Sequence, residues 1–147
     1  MRVFLVSPLL AASCFGQALG TWKMNVARST FSGSTQPRSL TARIEPHSKG
    51  EAFTLIRIEP DGRTRSSSTI LYFDGAPRDF EDFECSGTQF SRRLDGKTVE
   101  ILRQCGPGEW IRLIRRTSAK PNELVLEITE QHPDGRRFAR RLVFEKQ

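Results

Sequence analysis

Four Asp-Gly pairs, Asp61-Gly62, Asp74-Gly75, Asp95-Gly96 and Asp134-Gly135, punctuate the chain with turn signals. An Asp at a turn hydrogen-bonds its own backbone, and Gly accepts the left-handed conformation that follows. Further breaks come at Pro46-His47-Ser48-Lys49-Gly50, Gly106-Pro107-Gly108 and Lys120-Pro121-Asn122. The intervening residues rarely keep a 3.6-residue period, so they read as strands near 20–26, 39–45, 51–59, 63–73, 88–94, 97–104, 109–117, 123–131 and 136–145. A short tenth covers 78–84, and Ala27 to Phe31 is the one stretch with helical character. With 147 residues this is one domain. Ten Phe, two Trp and one Tyr supply the bulk of a core if alternation gathers them on one face. The pattern is that of an all-β meander, sandwich or barrel.

The last hairpin can be registered residue by residue. His132-Pro133-Asp134-Gly135-Arg136 suits a three-residue loop with Gly135 in the left-handed bulge position. If His132 faces Arg136, then Leu126 faces Leu142, Leu124 faces Phe144, Ile128 faces Arg140 and Glu130 faces Phe138. One surface then carries Leu124, Leu126, Ile128, Phe138, Leu142 and Phe144, and Arg140 lies among them. An unpaired guanidinium there is costly. It needs a carboxylate such as Glu130, stacking on Trp22, the mouth of a barrel, or a bound anion. Pairing with an acidic residue is the expected outcome, and a ligand role is the alternative.

The N-terminus reads as an export signal over 1–18. Arg2 is a short basic region, Val3 to Ala12 is apolar, and Gly16-Gln17-Ala18 meets the small-x-small rule for cleavage near Ala18. The apolar run is too short to span a bilayer as a helix, and no later segment is long or apolar enough. The expected product, 19–147, is periplasmic or secreted. A lipoprotein anchored through Cys14 is the second reading. Loss of the leader leaves Cys85 and Cys105 in an oxidising compartment, where a disulfide is the default. A two-residue Asp95-Gly96 loop puts the two cysteines at the open end of one hairpin, one residue out of register. A bulge near Ser86-Gly87 would close the difference.

Gly20-Thr21-Trp22 opens the first strand with a G-x-W signature, and the stretch from Gly20 to Phe31 reads GTWKMNVARSTF. Phe73-Asp74-Gly75, Asp61-Gly62-Arg63 and the terminal Phe144-Glu145-Lys146-Gln147 add three more motifs. Together they resemble small exported bacterial lipocalin-like (calycin-type) β-barrel proteins of unassigned function. Those proteins begin G-T-W-K-x-N-x-A-[KR]-S and end [FY]-E-K-Q. The resemblance implies an antiparallel up-and-down meander closing into a barrel of about 8–10 strands, with Trp22 closing one end. In lipocalins a late Arg covers that Trp, a part open here to Arg140 or Arg141. The R-x-Y anion pair of fatty-acid-binding proteins is absent, because Leu142 stands two residues after Arg140.

Composition narrows the function classes. The chain has net charge +6, and its basic excess lies after residue 85, rich in Arg rather than Lys. Arg92, Arg93, Arg103, Arg112, Arg115, Arg116, Arg136, Arg137, Arg140 and Arg141 make that half basic, suited to an anionic envelope surface or an acidic protein. Pairing with Glu100, Glu109, Glu127 and Glu145 across strands is the simpler expectation. No nucleic-acid-reading motif is present, and nucleic acid is not an expected partner. Asp79, Glu81, Asp82 and Glu84 alternate with Phe80 and Phe83 but lack the glycine-punctuated spacing of a calcium loop, so no metal site is expected. Nucleophile elbows, zincin motifs and phosphate loops are missing, which points away from an enzyme and from a cofactor. The leading expectation is a non-catalytic barrel that binds a small apolar or amphipathic ligand through Arg140, Phe138, Leu142, Leu126 and Trp110. The alternative is an envelope interaction module with a filled barrel and a basic outer face.

Overall fold

The computed structural model describes residues 18–32 and 35–147; residues 1–17 of the expected leader, Cys14 among them, lie outside the described residues. The chain runs through β1 (Gly20–Met24), a 3-10 turn (Val26–Arg28), β2 (Thr30–Phe31), β3 (Ser39–His47), β4 (Gly50–Ile58) and β5 (Thr64–Leu71). It continues through β6 (Arg78–Glu81), β7 (Ser86–Arg93), β8 (Thr98–Gly106), β9 (Glu109–Ser118), β10 (Glu123–Gln131) and β11 (Arg137–Lys146). The stretch expected to be helical is thus a single tight turn followed by a two-residue strand. Asn25 caps the turn by accepting from the Arg28 N–H at 3.2 Å.

All strands belong to one antiparallel sheet, ordered β5-β4-β3-β1-β11-β10-β9-β8-β7-β6, with β2 also paired to β11. Rolled up, this meander is a nearly closed barrel. Its two edges, β5 and β6, share no backbone ladder. The seam is crossed by the isolated Asp74–Arg92 bridge, with the Gly75 N–H on the Ser91 carbonyl at 3.0 Å, and by side chains: Gln89 Nε2 donates to Thr69 Oγ1 at 2.9 Å, and Ser67 Oγ to Asp82 Oδ2 at 3.3 Å. The Phe73 N–H reaches Ser91 Oγ at 3.0 Å.

Turn chemistry sets the registers. In each Asp-Gly turn the carboxylate accepts the N–H two residues on: Arg63 at 3.0 Å, Ala76 at 3.0 Å, Lys97 at 2.8 Å and Arg136 at 3.0 Å. The β10–β11 hairpin has the expected register, with Leu124 opposite Phe144, Leu126 opposite Leu142 and Ile128 opposite Arg140. Gly135 sits at φ 85°, the left-handed value its bulge position requires. The β7–β8 turn is a correction. The Leu94 N–H bonds the Thr98 carbonyl at 2.9 Å, so three residues separate the strands rather than two. The Asp95 carboxylate capping the Lys97 N–H draws Lys97 into the loop.

That change leaves the two cysteines two residues out of the β7–β8 register instead of one. Cys85 and Cys105 are bonded, with their Cα atoms 5.4 Å apart. A register shift lies between Gln104 and Gly106 where β8 pairs with β9. Position 87 admits no side chain, because a Cβ there would stand 1.9 Å from the Gln104 carbonyl oxygen.

Alternation fills the interior. Phe53, Leu71, Ile101, Leu113, Leu124, Leu126 and Phe144 are fully buried. In phase with them stand arginines. Arg103 and Arg115 are each 2% exposed, which corrects their assignment to the basic outer face. Arg103 meets Asp82 at 3.1 Å and donates from Nε to Gln89 at 3.0 Å. Arg115 meets Glu51 at 2.7 Å, and Glu51 also faces Arg93 at 3.4 Å. Burial pushes both guanidinium groups below the usual arginine range, while Asp82 and Glu51 pull them back. They stay protonated at neutral pH.

Two predictions follow from these contacts. Glu51→Gln leaves the buried Arg115 charge uncompensated and should cost roughly 3–5 kcal/mol in urea unfolding. A loss below about 1 kcal/mol would contradict the pairing. For the turns, backbone hydrogen bonds hold Asp61, Asp95 and Asp134 below the usual 3.8, and at Asp74 Arg78 contributes most, then the Ala76 N–H. A carboxyl depressed in the folded state stabilises above its unfolded pKa and ceases to do so as pH falls through the folded value. The urea midpoint should therefore be level above about pH 5 and decline below about pH 4. A level midpoint down to about pH 2.5 would exclude this role.

Candidate functional site at the open end of the barrel

Three turns and strand ends meet at one end of the barrel. The end of β4 and the residue after it bring Arg57 and Glu59, the start of β5 brings Arg65, and the β6–β7 turn brings Phe83 and Glu84. Glu109, Ile111, Glu130, Gln131, His132 and Arg140 complete an open cleft of about 300 Å³. Below it lies an interior cavity of about 30 Å³, walled by Leu55, Leu113, Leu126, Ile128 and Leu142 with Arg140 at its edge. The interior is therefore occupied by the protein's own side chains, with room for about one water. Arg57, Phe83, Glu84, Ile111 and Arg140 border both spaces.

Arg140 is the hinge of the site. It is 7% exposed, lying opposite Ile128 on β10 and Phe31 on β2. Its Nη2 donates to Glu130 at 2.9 Å and its Nη1 stands 3.7 Å from Glu84. The pairing with Glu130 is the one expected from the hairpin register. Its Nε is buried without an acceptor among the described residues. A buried N–H in that condition costs about 1–3 kcal/mol relative to a satisfied one.

The rest of the cleft is cross-braced. Arg57 donates to Glu59 at 2.9 Å and to the Thr35 carbonyl at 2.8 Å, and Arg65 stands 3.5 Å from Glu59. Glu130 also lies 3.5 Å from His132, whose ring meets the edge of Phe138 at 4.9 Å. The turn that carries Phe83 and Glu84 is pinned at both ends. Asp82 accepts the N–H of Glu84 at 2.7 Å and of Cys85 at 3.0 Å while pairing with Arg103. The disulfide ties the far end of the turn to β8.

The residues singled out in the sequence are only partly gathered here. Arg140, Leu126 and Leu142 meet around the interior cavity. Phe138 packs on His132 beside the mouth. Trp110 is out of phase with Ile111 and Leu113 and lies on the outer face, where Arg137 approaches its ring at 5.7 Å. It does not join the cleft. Trp22 is wholly buried opposite Lys146 near the other end of β11 and donates to the Ala18 carbonyl at 2.8 Å. Lys146, 5.4 Å from the ring, covers it; neither Arg140 nor Arg141 does. Arg140 is committed to Glu130 and Glu84 instead, and Arg141 is on the outward phase of β11. Arg57, Glu59, Arg65 and Glu109 were missed. Arg57 shares the phase of Phe53 and Leu55, so the rule that exposed Arg140 as anomalous also applies to it.

The outer arginines are largely neutralised. Arg92 and Arg112 share Glu100 at 2.7 and 2.6 Å, and Arg116 meets Glu127 at 2.8 Å. Burial raises the Glu100 carboxyl, but hydrogen bonds from Arg112 and Arg92 more than reverse this and leave it below its usual value.

Replacing both cysteines by serine should remove about 3 kcal/mol of stability through the loop between positions 85 and 105. A loss under about 1 kcal/mol, read from urea unfolding of oxidised protein and double variant, would show that the bond does not restrain the chain. No protein-family model and no curated protein sequence matches this chain, so the chemistry of the open end rests on its own geometry.

Proposed function

We propose that this chain is an exported, non-catalytic binding protein of barrel architecture that takes a small amphipathic molecule at its open end. The observation that carries the reading is the open cleft that sets the Arg140 guanidinium beside the apolar surface of Phe83 and Ile111. A ligand with an acceptor over Arg140 and an apolar part against Phe83 and Ile111 would satisfy both. A cleft of about 300 Å³ is at the small end of ligand pockets. The filled interior argues for a ligand held at the mouth rather than enclosed. Export is supported by the disulfide, which fits a protein outside the cytoplasm. No helix of the described residues is long and apolar enough to cross a membrane.

The filled interior also suits the second reading, an envelope interaction module with a basic outer face. The paired state of Arg92, Arg112 and Arg116 weighs against that use of the face, as does the lack of an apolar patch. Leu94 is the large exposed hydrophobic among the described residues.

The test is amide chemical-shift mapping on isotope-labelled protein with three eight-carbon amphiphiles: octanoate, octylamine and octyl β-glucoside, each below its micelle concentration. Shifts should concentrate at Arg57, Phe83, Glu84, Ile111, His132 and Arg140 for at least one probe. Shifts confined to the outer faces of β8 and β9, or none at millimolar probe, would refute the site.

A further inference from the structure

Resting on the open-end site just proposed, we infer that the polar part of its ligand is an uncharged, hydroxyl-bearing ring, a single sugar unit. The argument begins with charge. Arg57, Arg65 and Arg140 face Glu59, Glu84, Glu109 and Glu130 across the same cleft. Three cations against four carboxylates leave no net positive field to draw an anion. A third carboxylate brought to Arg140 would also meet Glu130 and Glu84, already at 2.9 and 3.7 Å from it. A cation is disfavoured in turn by the three guanidinium groups.

Hydrogen-bond inventory then selects among neutral groups. Guanidinium groups only donate and ionised carboxylates only accept. A hydroxyl does both, so one hydroxyl can accept from a guanidinium of the cleft and donate to a neighbouring carboxylate without adding charge. Adjacent hydroxyls on a ring repeat that alternation, and the cleft repeats it in Arg57–Glu59–Arg65 and His132–Glu130–Arg140–Glu84. Gln131, with a donor and an acceptor on one amide, lines the same space. Phe83 and Ile111 supply apolar surface for the C–H face of the ring. The size of the cleft suits one ring rather than an extended chain.

The experiment is an affinity ranking by isothermal titration of the full chain with octyl β-glucoside, methyl β-glucoside, octanoate and octylamine. Octyl β-glucoside should bind at least tenfold tighter than either charged amphiphile, and methyl β-glucoside should compete with it. Glu84→Gln, on an exposed turn, should weaken octyl β-glucoside at least threefold while leaving thermal unfolding unchanged. Arg140→Lys, which keeps the charge but removes the forked guanidinium donors, should weaken it at least tenfold. Octanoate or octylamine binding as tightly as the glucoside, with shifts at the mouth, would overturn the sugar assignment and leave the open-end site standing. Absence of binding by all four probes would overturn both.

Discussion

Ion pairing inside a filled cylinder is the constraint on which this structure rests. An antiparallel barrel of this size can hold a ligand or its own side chains. Here large apolar residues occupy most of the interior, and Arg103–Asp82, Arg115–Glu51 and Arg140–Glu130 fill the remainder. Each guanidinium arrives on a strand whose inward phase is otherwise apolar, and each finds its carboxylate on a different strand or turn. Such pairs bring little net stability over well-packed hydrophobic residues, but removing one member is severe. They act as registration marks: a strand displaced by one residue would turn a charge outward and leave its counterpart buried.

The strands were legible because turn chemistry and alternation agree. Asp-Gly pairs bracket the hairpins, and the β10–β11 register follows from Pro133-Asp134-Gly135 alone. Where local rules offered two solutions, reading failed. A two-residue and a three-residue loop both fit Asp95-Gly96-Lys97, and the capping of Lys97 decided between them. The site was less legible because it is assembled from residues far apart in sequence. Arg140 could be singled out, since its hairpin can be registered locally. Arg57, Arg103 and Arg115 obey the same inward phase, but charge composition suggested a basic exterior for the latter two. Phase, not composition, places an arginine inside or outside.

The two ends of the barrel are built differently. One is sealed by Trp22, with the indole N–H bonded to Ala18 and Lys146 across its face. The other is open, polar and braced by alternating acids and bases. Its floor carries Arg140, whose two terminal nitrogens face carboxylates while Nε remains unmatched. Sealing one end with an aromatic and leaving the other to charged side chains gives the cylinder a polarity that composition does not reveal.

The side-chain seam between β5 and β6 has a mechanical consequence. Elsewhere around the circumference, separation of neighbours would break a ladder of main-chain bonds at once. Along this line it needs only the short Asp74–Arg92 bridge, Ser67, Thr69 and a few partners to let go. Asp82 takes part both there and in anchoring the β6–β7 turn. Any loosening of the zipper is thereby transmitted to Phe83 and Glu84, so the weakest line in the wall is coupled to the rim of the opening.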